Sequence, residues 1–166
     1  MSFADEWERD RQRAKQANQE VIKVISIELF SGVITKSPVG NPELWVYEHP
    51  TRGYIDYLGY FGAAPDGYVG GRFRSNWFLS FGYPSSETTD STTRDNSLVA
   101  DVTKEIQNSQ YQGNYQLTNN LPYGPKLESG NWSTQAPNGI IAPNILRVTS
   151  RIPAIEKIVN KKYGVD

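Results

Sequence analysis

From residue 5 to residue 36 the chain contains no proline and a single glycine, Gly32, and Pro38 follows at once. Within that stretch Val21, Val24, Ile25, Glu28, Leu29 and Val33 recur at helical spacing, which predicts one long helix. Ile22, Ile27, Phe30 and Ile34 fill the flanks, so its second half is apolar nearly all round and must pack on more than one side. The first half is different. Glu6, Glu8, Arg9, Asp10, Arg11, Arg13 and Lys15 crowd it, with like-charged i,i+4 pairs at Glu6/Asp10 and Arg9/Arg13, and only Phe3, Trp7 and Ala14 form a thin apolar stripe. Residues 1–20 therefore read as a charged helical arm. It is either a solvated extension or a contact arm in which Trp7, Arg9 and Arg13 meet a neighbour, since aromatics and Arg are enriched at interaction hot spots. Pro38 stops the helix because it supplies no amide hydrogen and disfavours helical geometry at Ser37.

Beyond that stop, residues 41–70 carry Pro42, Pro50, Pro65 and several glycines, with Trp45, Tyr47, Tyr54, Tyr57, Tyr60 and Phe61 between them. This predicts an aromatic loop insertion, extended or folded as a hairpin, with Trp45 and Tyr57 as candidate interface residues. Residues 73–81 alternate, Phe73, Trp77, Leu79 and Phe81 on one face, and predict a strand. A polar connection leads to a helix over 94–109 with Leu98, Val102 and Ile106 on its apolar face, then a strand at 115–118. Pro122, Pro125 and Pro137 punctuate a turn-rich segment with a helical turn near Lys126, and Ile140–Ile141 offers a further short strand. A last helix is expected over 144–162, apolar through Ile145, Val148, Ile152, Ile155 and Val159 and kinked at Pro153. The expected fold is α+β: a long N-terminal and a C-terminal helix packed on a small, mainly antiparallel sheet, in a single domain spanning 1–166.

Length and composition narrow the function. At 166 residues one domain suffices, and the 10 Tyr, 4 Trp and 6 Phe supply bulky core material. A net charge of −1 leaves no electrostatic footprint for gripping a nucleic-acid backbone, so DNA is expected to pass without sticking. Without cysteine there is neither a disulfide nor a thiolate metal site. The charged N-terminus does not resemble a secretory signal, and no run reaches the length of a membrane span. Asn131-Trp132-Ser133 matches a glycosylation sequon that matters only in a secretory pathway. The one histidine, His49, stands beside Pro50 with no Gly-x-Ser-x-Gly elbow in the chain, and Gly67-Tyr68-Val69-Gly70-Gly71 lacks the Gly-Lys-Ser/Thr ending of a phosphate loop. Neither catalytic, metal nor cofactor-binding residues are assigned, and an enzyme is not expected. Glu128 reads as a local acceptor for backbone amides or a basic side chain, fixing the 127–139 loop. Trp77 and Tyr123 read as core or loop anchors.

The segment from Asn119 to Gly139 carries a particular order of residues: Asn119, Tyr123, Leu127, Glu128, Gly130, Ser133, then Gln135, Ala136, Pro137 and Gly139. Two upstream blocks accompany it, Ser37-Pro38-Val39-Gly40 and Gly71-Arg72-Phe73-Arg74-Ser75-Asn76-Trp77. In this order the blocks resemble the tail-completion, or head–tail joining (neck), family of tailed bacteriophages, to which the lambda minor tail protein Z belongs. Pro38, Arg72, Asn76, Trp77, Asn119, Tyr123, Glu128, Gly130, Gln135, Pro137 and Gly139 are the motif residues. The chain departs from the family at Asn131, where His is frequent, and at Gly124-Pro125, and the resemblance does not cover the geometry of residues 41–70. The resemblance implies a structural virion protein, made in the bacterial host cytoplasm and located in the neck. It implies a homo-oligomer, a six-fold ring on the head-proximal end of the tail, with genomic DNA passing through the lumen. Its implied partners are the tail tube or tail terminator protein and the head-completion or connector proteins, with no cofactor and no membrane. A tail terminator ring is the nearest alternative. A carbohydrate-binding module, suggested by Tyr and Trp in Gly/Pro-rich loops, is the alternative of a different class, although the long helix counts against an all-β lectin sandwich.

Overall fold

The computed structural model describes residues 2–40, 46–49, 53–56, 67–111, 113–130 and 132–165, with the backbone alone at 46–49 and 53–56. Helix α1 (Phe3–Lys36) begins two residues before the proline-free run was expected to turn helical. Ser2 and Asp5 make a capping box there: the Asp5 amide donates to Ser2 Oγ and the Ser2 amide to the Asp5 carboxylate. The helix closes at Ser37, whose backbone turns extended (φ −61°, ψ 130°) ahead of Pro38. Its 34 residues make a rod of about 51 Å.

Three of the later helices pack along that rod. Helix α3 (Ser97–Asn108) sets Val102 and Ile106 against Phe30, Val33 and Ile34 at the C-terminal end of α1, in a core completed by Phe73, Trp77, Leu121, Leu127, Ala136 and Ile140. Lys23 reaches across to the C-terminus of α3 and donates to the carbonyls of Gln107 and Ser109. Helices α5 (Ile141–Thr149) and α6 (Ile152–Tyr163) run back down α1. Ile155 and Val159 meet Ala17 and Val21 in a second, smaller core. Arg151 pairs with Glu28 at 3.1 Å and Lys162 with Glu20 at 3.1 Å, both partly exposed and worth under about 1 kcal/mol each. Because Ala17 is already buried under α6, the projecting arm is shorter than residues 1–20.

The expected final helix over 144–162 is two helices. The break falls at Ser150–Arg151, and Pro153 sits in the first turn of α6, where its missing amide hydrogen costs nothing. The strand expected at 140–141 is absent: these residues open α5, and their amides are taken by a side chain described below. The strand expected over 73–81 is also corrected. Residues Arg72–Ser75 form a helical turn, α2, and only Phe78–Ser80 (β3) is extended. Phe73 and Trp77 are four apart, a spacing that suits one face of a strand and of a helix equally, and Asn76 decides between them. Its amide donates to Arg72 O at 2.6 Å and to Thr89 O at 2.9 Å, which curls the segment.

Strand β3 pairs antiparallel with β4 (Gln116–Thr118), Phe78 opposite Thr118 and Ser80 opposite Gln116. A separate antiparallel hairpin, β1 (Val46–His49) and β2 (Gly53–Asp56), lies within the 41–70 insertion. A helical turn α4 (Gly124–Glu128) surrounds Lys126 as expected. The fold is thus α+β with helix predominant, and the helices pack on α1 while each sheet is only two strands. Among the described residues no helix is long and apolar enough to cross a membrane.

At Gly32, α5 approaches α1 closely. A Cβ there would collide with the Asn144 amide oxygen and lie 2.6 Å from the Arg147 guanidinium. Asn144 is buried and held through its Nδ2 to Ile140 O at 2.8 Å, so it has little freedom to retreat. Gly32→Ala gains about 1 kcal/mol in helix propensity and loses about 1–3 kcal/mol to overpacking. Denaturant unfolding should show a net loss; a more stable variant would mean that α5 does not approach α1 at this point.

Candidate functional site

The three sequence blocks, separated by up to a hundred residues, interlock at the C-terminal end of α1. Ser37 is fully buried and its hydroxyl donates to Val33 O at 2.8 Å. That same hydroxyl oxygen accepts the Trp77 indole N–H at 2.7 Å. Arg74 caps the helix from outside, donating to Thr35 O at 3.1 Å and Ser37 O at 2.8 Å, and to Arg94 O at 2.7 Å. Burial lowers the pKa of its guanidinium, with Asp95 opposing the shift. Gln135 then reads the backbone of Val39 from both sides: its Oε1 accepts the Val39 amide at 3.0 Å and its Nε2 donates to Val39 O at 2.8 Å. A side-chain amide here takes the place of a paired strand, binding the signature segment to the residue after Pro38.

Asn119 fastens the signature to the middle block by donating to Phe73 O at 2.9 Å, while its Oδ1 receives the Leu121 amide at 3.2 Å. Asn76 is completely buried, and besides its two carbonyl partners it accepts the Thr89 amide at 2.8 Å. Phe73 stands edge-on to Trp77, with ring centroids 5.7 Å apart, and 5.8 Å from Tyr123, which in turn lies 6.1 Å from Trp132. Burial raises the Tyr123 pKa, which keeps the phenol neutral; Arg72 pulls the other way.

Glu128 closes the last loop of the knot. Its Oε2 accepts the amides of Ile140 and Ile141, both at 2.8 Å, and its Oε1 accepts that of Ala142 at 3.0 Å. These amides open α5, so a carboxylate from α4 serves as a cap supplied from another part of the chain, where the helix dipole also favours negative charge. Burial pushes the Glu128 pKa up, but the three amides together outweigh it and hold the group below its ordinary value of 4.5. Gly130 (φ 73°) and Gly139 (φ 81°) let the backbone close around it. A Cβ on Gly130 would lie 2.6 Å from Pro137 O, and one on Gly139 would strike Glu128 O. With both oxygens engaged by amides, Glu128 is a structural acceptor.

Beside the knot lies a cavity of about 500 Å³ with walls from Tyr68, Phe73, Tyr123, Leu127 and Trp132. Pro38, Arg72, Ser133, Thr134 and Gln135 also border it, and Thr134 and Gln135 are exposed, so it reaches the surface. Arg72 holds Asp90 at 2.8 Å, and Lys126 rides over the Trp132 ring at 5.9 Å. Aromatic walls with a few polar groups at the edge suit an apolar or aromatic side chain or the face of a sugar ring. Tyr68, Trp132 and Arg74 are the residues sequence reading did not single out. Arg74 lies inside the middle block, which was the available signal for it.

The candidate interface residues fall elsewhere. Trp7 is 60% exposed and Phe3, four residues earlier on the same side of α1, is 83% exposed. Arg9 is exposed on the same arm, and Arg13 pairs with Asp10 at 2.6 Å. Trp45 and Tyr57 lie outside the described residues. A second apolar surface is formed on α5 by Ile141, Ile145 and Leu146, the last 74% exposed; Ile145, expected on one apolar face with Val148, Ile155 and Val159, is exposed where those three are buried. Among the described residues no three His, Cys, Asp or Glu side chains gather as a metal-holding group.

No protein-family model, curated protein or solved structure matches the chain.

Two outcomes test the knot. Trp77 is 5% exposed, so Trp77→Ala removes a buried ring and leaves the Ser37 hydroxyl without a donor. A loss of about 3–5 kcal/mol is expected in denaturant unfolding, and a loss below about 1 kcal/mol would show that the ring is not in the core. Glu128 has a depressed folded pKa, so its contribution is complete above pH 4.5 and is lost as pH falls through the folded value. Glu128→Gln should therefore be less stable than wild type at neutral pH, with the gap narrowing in acid. A gap that does not change with pH would mean that the carboxylate charge contributes nothing.

Proposed function

We propose that this chain is a structural virion protein of a tailed phage, completing the head-proximal end of the tail and joining it to the head as one subunit of a ring through which DNA passes. The observation that carries the reading is the convergence of the three resembling blocks. The residues that define the resemblance, Pro38 with its neighbours, Arg72 to Trp77, and Asn119 to Gly139, meet in one hydrogen-bonded knot through Trp77–Ser37, Asn119–Phe73 and Gln135–Val39. Their shared work is architectural, which is what a family of assembly proteins would preserve. Exposed apolar groups on the arm and on α5 offer contact surfaces of the kind that a subunit in a closed ring requires. The near-zero net charge suits repeated subunits packed closely around DNA that must slide. The partners are the tail tube or tail terminator protein on one side and head-completion proteins on the other. A tail terminator ring would make the same use of these features.

The cavity favours one reading of a different class, a carbohydrate-binding module, because Tyr68, Tyr123 and Trp132 present aromatic walls. Glycan binding through that cavity would be lost on removing the Trp132 ring.

The test is native mass spectrometry of the protein alone and mixed with tails lacking it, followed by electron microscopy. A six-fold ring at one tail end is expected. Failure to bind tails or heads, together with retention on a glycan array, would replace the virion reading with the carbohydrate one.

A further inference from the structure

The chain places an unmatched aromatic projection at one end of α1 and an aromatic cavity at the other. Helix α6 ends at Tyr163, with Gly164 beside Arg13, so residues 3–12 of α1 extend past the packed body by about 15 Å. Phe3 and Trp7 stand exposed on that extension. At the opposite end, where α1 gives way to Pro38 and Gly40, the cavity opens between Tyr68, Tyr123 and Trp132. One continuous helix separates the two features, about 40 Å from the level of Trp7 to the end at Lys36, so a chain cannot put its own Trp7 into its own cavity.

We infer that the arm of one copy docks in the cavity of a second copy, with Trp7 as the inserted residue and the Tyr123–Trp132 wall as its seat. Size agrees: a cavity of about 500 Å³ has room for an indole and part of the Phe3 ring. Charge agrees as well. Residues 2–8 carry Asp5, Glu6 and Glu8 and no base, with Glu8 held by Arg11, whereas the cavity lining carries Arg72, shared with Asp90, and Lys126 lies over the Trp132 ring of its wall. Trp7 would replace water on both surfaces, and the acidic tip would meet the basic groups of that wall. The contact is head-to-tail, so it uses different patches on the two copies and propagates until rotation closes it into a ring. It deepens the ring reading above and rests on it for closure, since the same contact without closure would give a filament.

The experiment uses the purified full chain without tails, so its failure is separable from failure of tail binding. Sedimentation velocity over a concentration series should show wild-type self-association. Trp7→Ala is expected to weaken it at least about 30-fold, the effect of a hot-spot residue worth about 2 kcal/mol. Thr134→Trp, which fills the cavity mouth, should weaken it comparably, with Ser133→Trp as a second block should the first variant lose its fold by circular dichroism. Mixing is the decisive arm: Trp7→Ala retains a cavity and Thr134→Trp retains an arm, so together they should form a 1:1 dimer that grows no further. A wild-type monomer at all concentrations, a Trp7→Ala variant that associates normally, or blocked and armless variants that ignore each other would each overturn the proposal.

Discussion

The buried hydroxyl of Ser37 is the contact on which the rest of this molecule turns. Pro38 obliges α1 to end, and a helix that ends against a core leaves carbonyls without intrahelical partners, that of Val33 among them buried. Ser37 answers one of these by donating to Val33 O, and its oxygen then holds the Trp77 indole. Arg74 answers two more from the same short turn. Removing either partner would strand a buried polar group at a cost of about 1–3 kcal/mol, so the end of α1, the α2 turn and the Trp77 ring are set together. From there Gln135 and Asn119 attach the signature segment, and Glu128 passes the order on to α5. The sequence of dependencies runs outward from a helix stop.

Two cores share one helix, and they are unequal. The larger, at the C-terminal end of α1, draws on well-separated stretches of chain and is threaded by polar contacts, of which the Ser37–Val33 and Trp77–Ser37 bonds are buried. The smaller joins α6 to Ala17 and Val21 and is bordered by ion pairs open to solvent. Local opening should therefore start at α6 and the arm, whereas the knot opens only with the whole domain. The exposed Phe3 and Trp7 thus stand on the less stable half, and the aromatic cavity lies beside the fixed geometry of the other.

Much of this was legible in the sequence where one physical signal stood alone. The proline-free run, the apolar face of Leu98, Val102 and Ile106, and the helical turn at Lys126 all fell where pattern and punctuation agree. Errors arose where two geometries share a spacing. Phe73 and Trp77 satisfy a strand and a helix alike, and only the non-local partners of Asn76 choose between them. Ile140 and Ile141 look like a strand until a distant carboxylate claims their amides. Glu128 was legible as an acceptor of amides, but the particular amides lie past the loop it was expected to fix. The cavity depended on Tyr68 and Trp132 meeting across sixty residues, which no local pattern encodes.

Because α1 runs unbroken through both cores, the direction in which Trp7 faces is a matter of phase. Each residue added or removed between Arg13 and Ala17 would turn the arm by about 100° and move it by about 1.5 Å relative to the α6 packing. Seven residues would restore the facing to within about 20°. An arm on a flexible linker would tolerate any change of length. This one behaves as a keyed shaft, for which length variants preserve the facing of Phe3 and Trp7 only in steps close to whole turns.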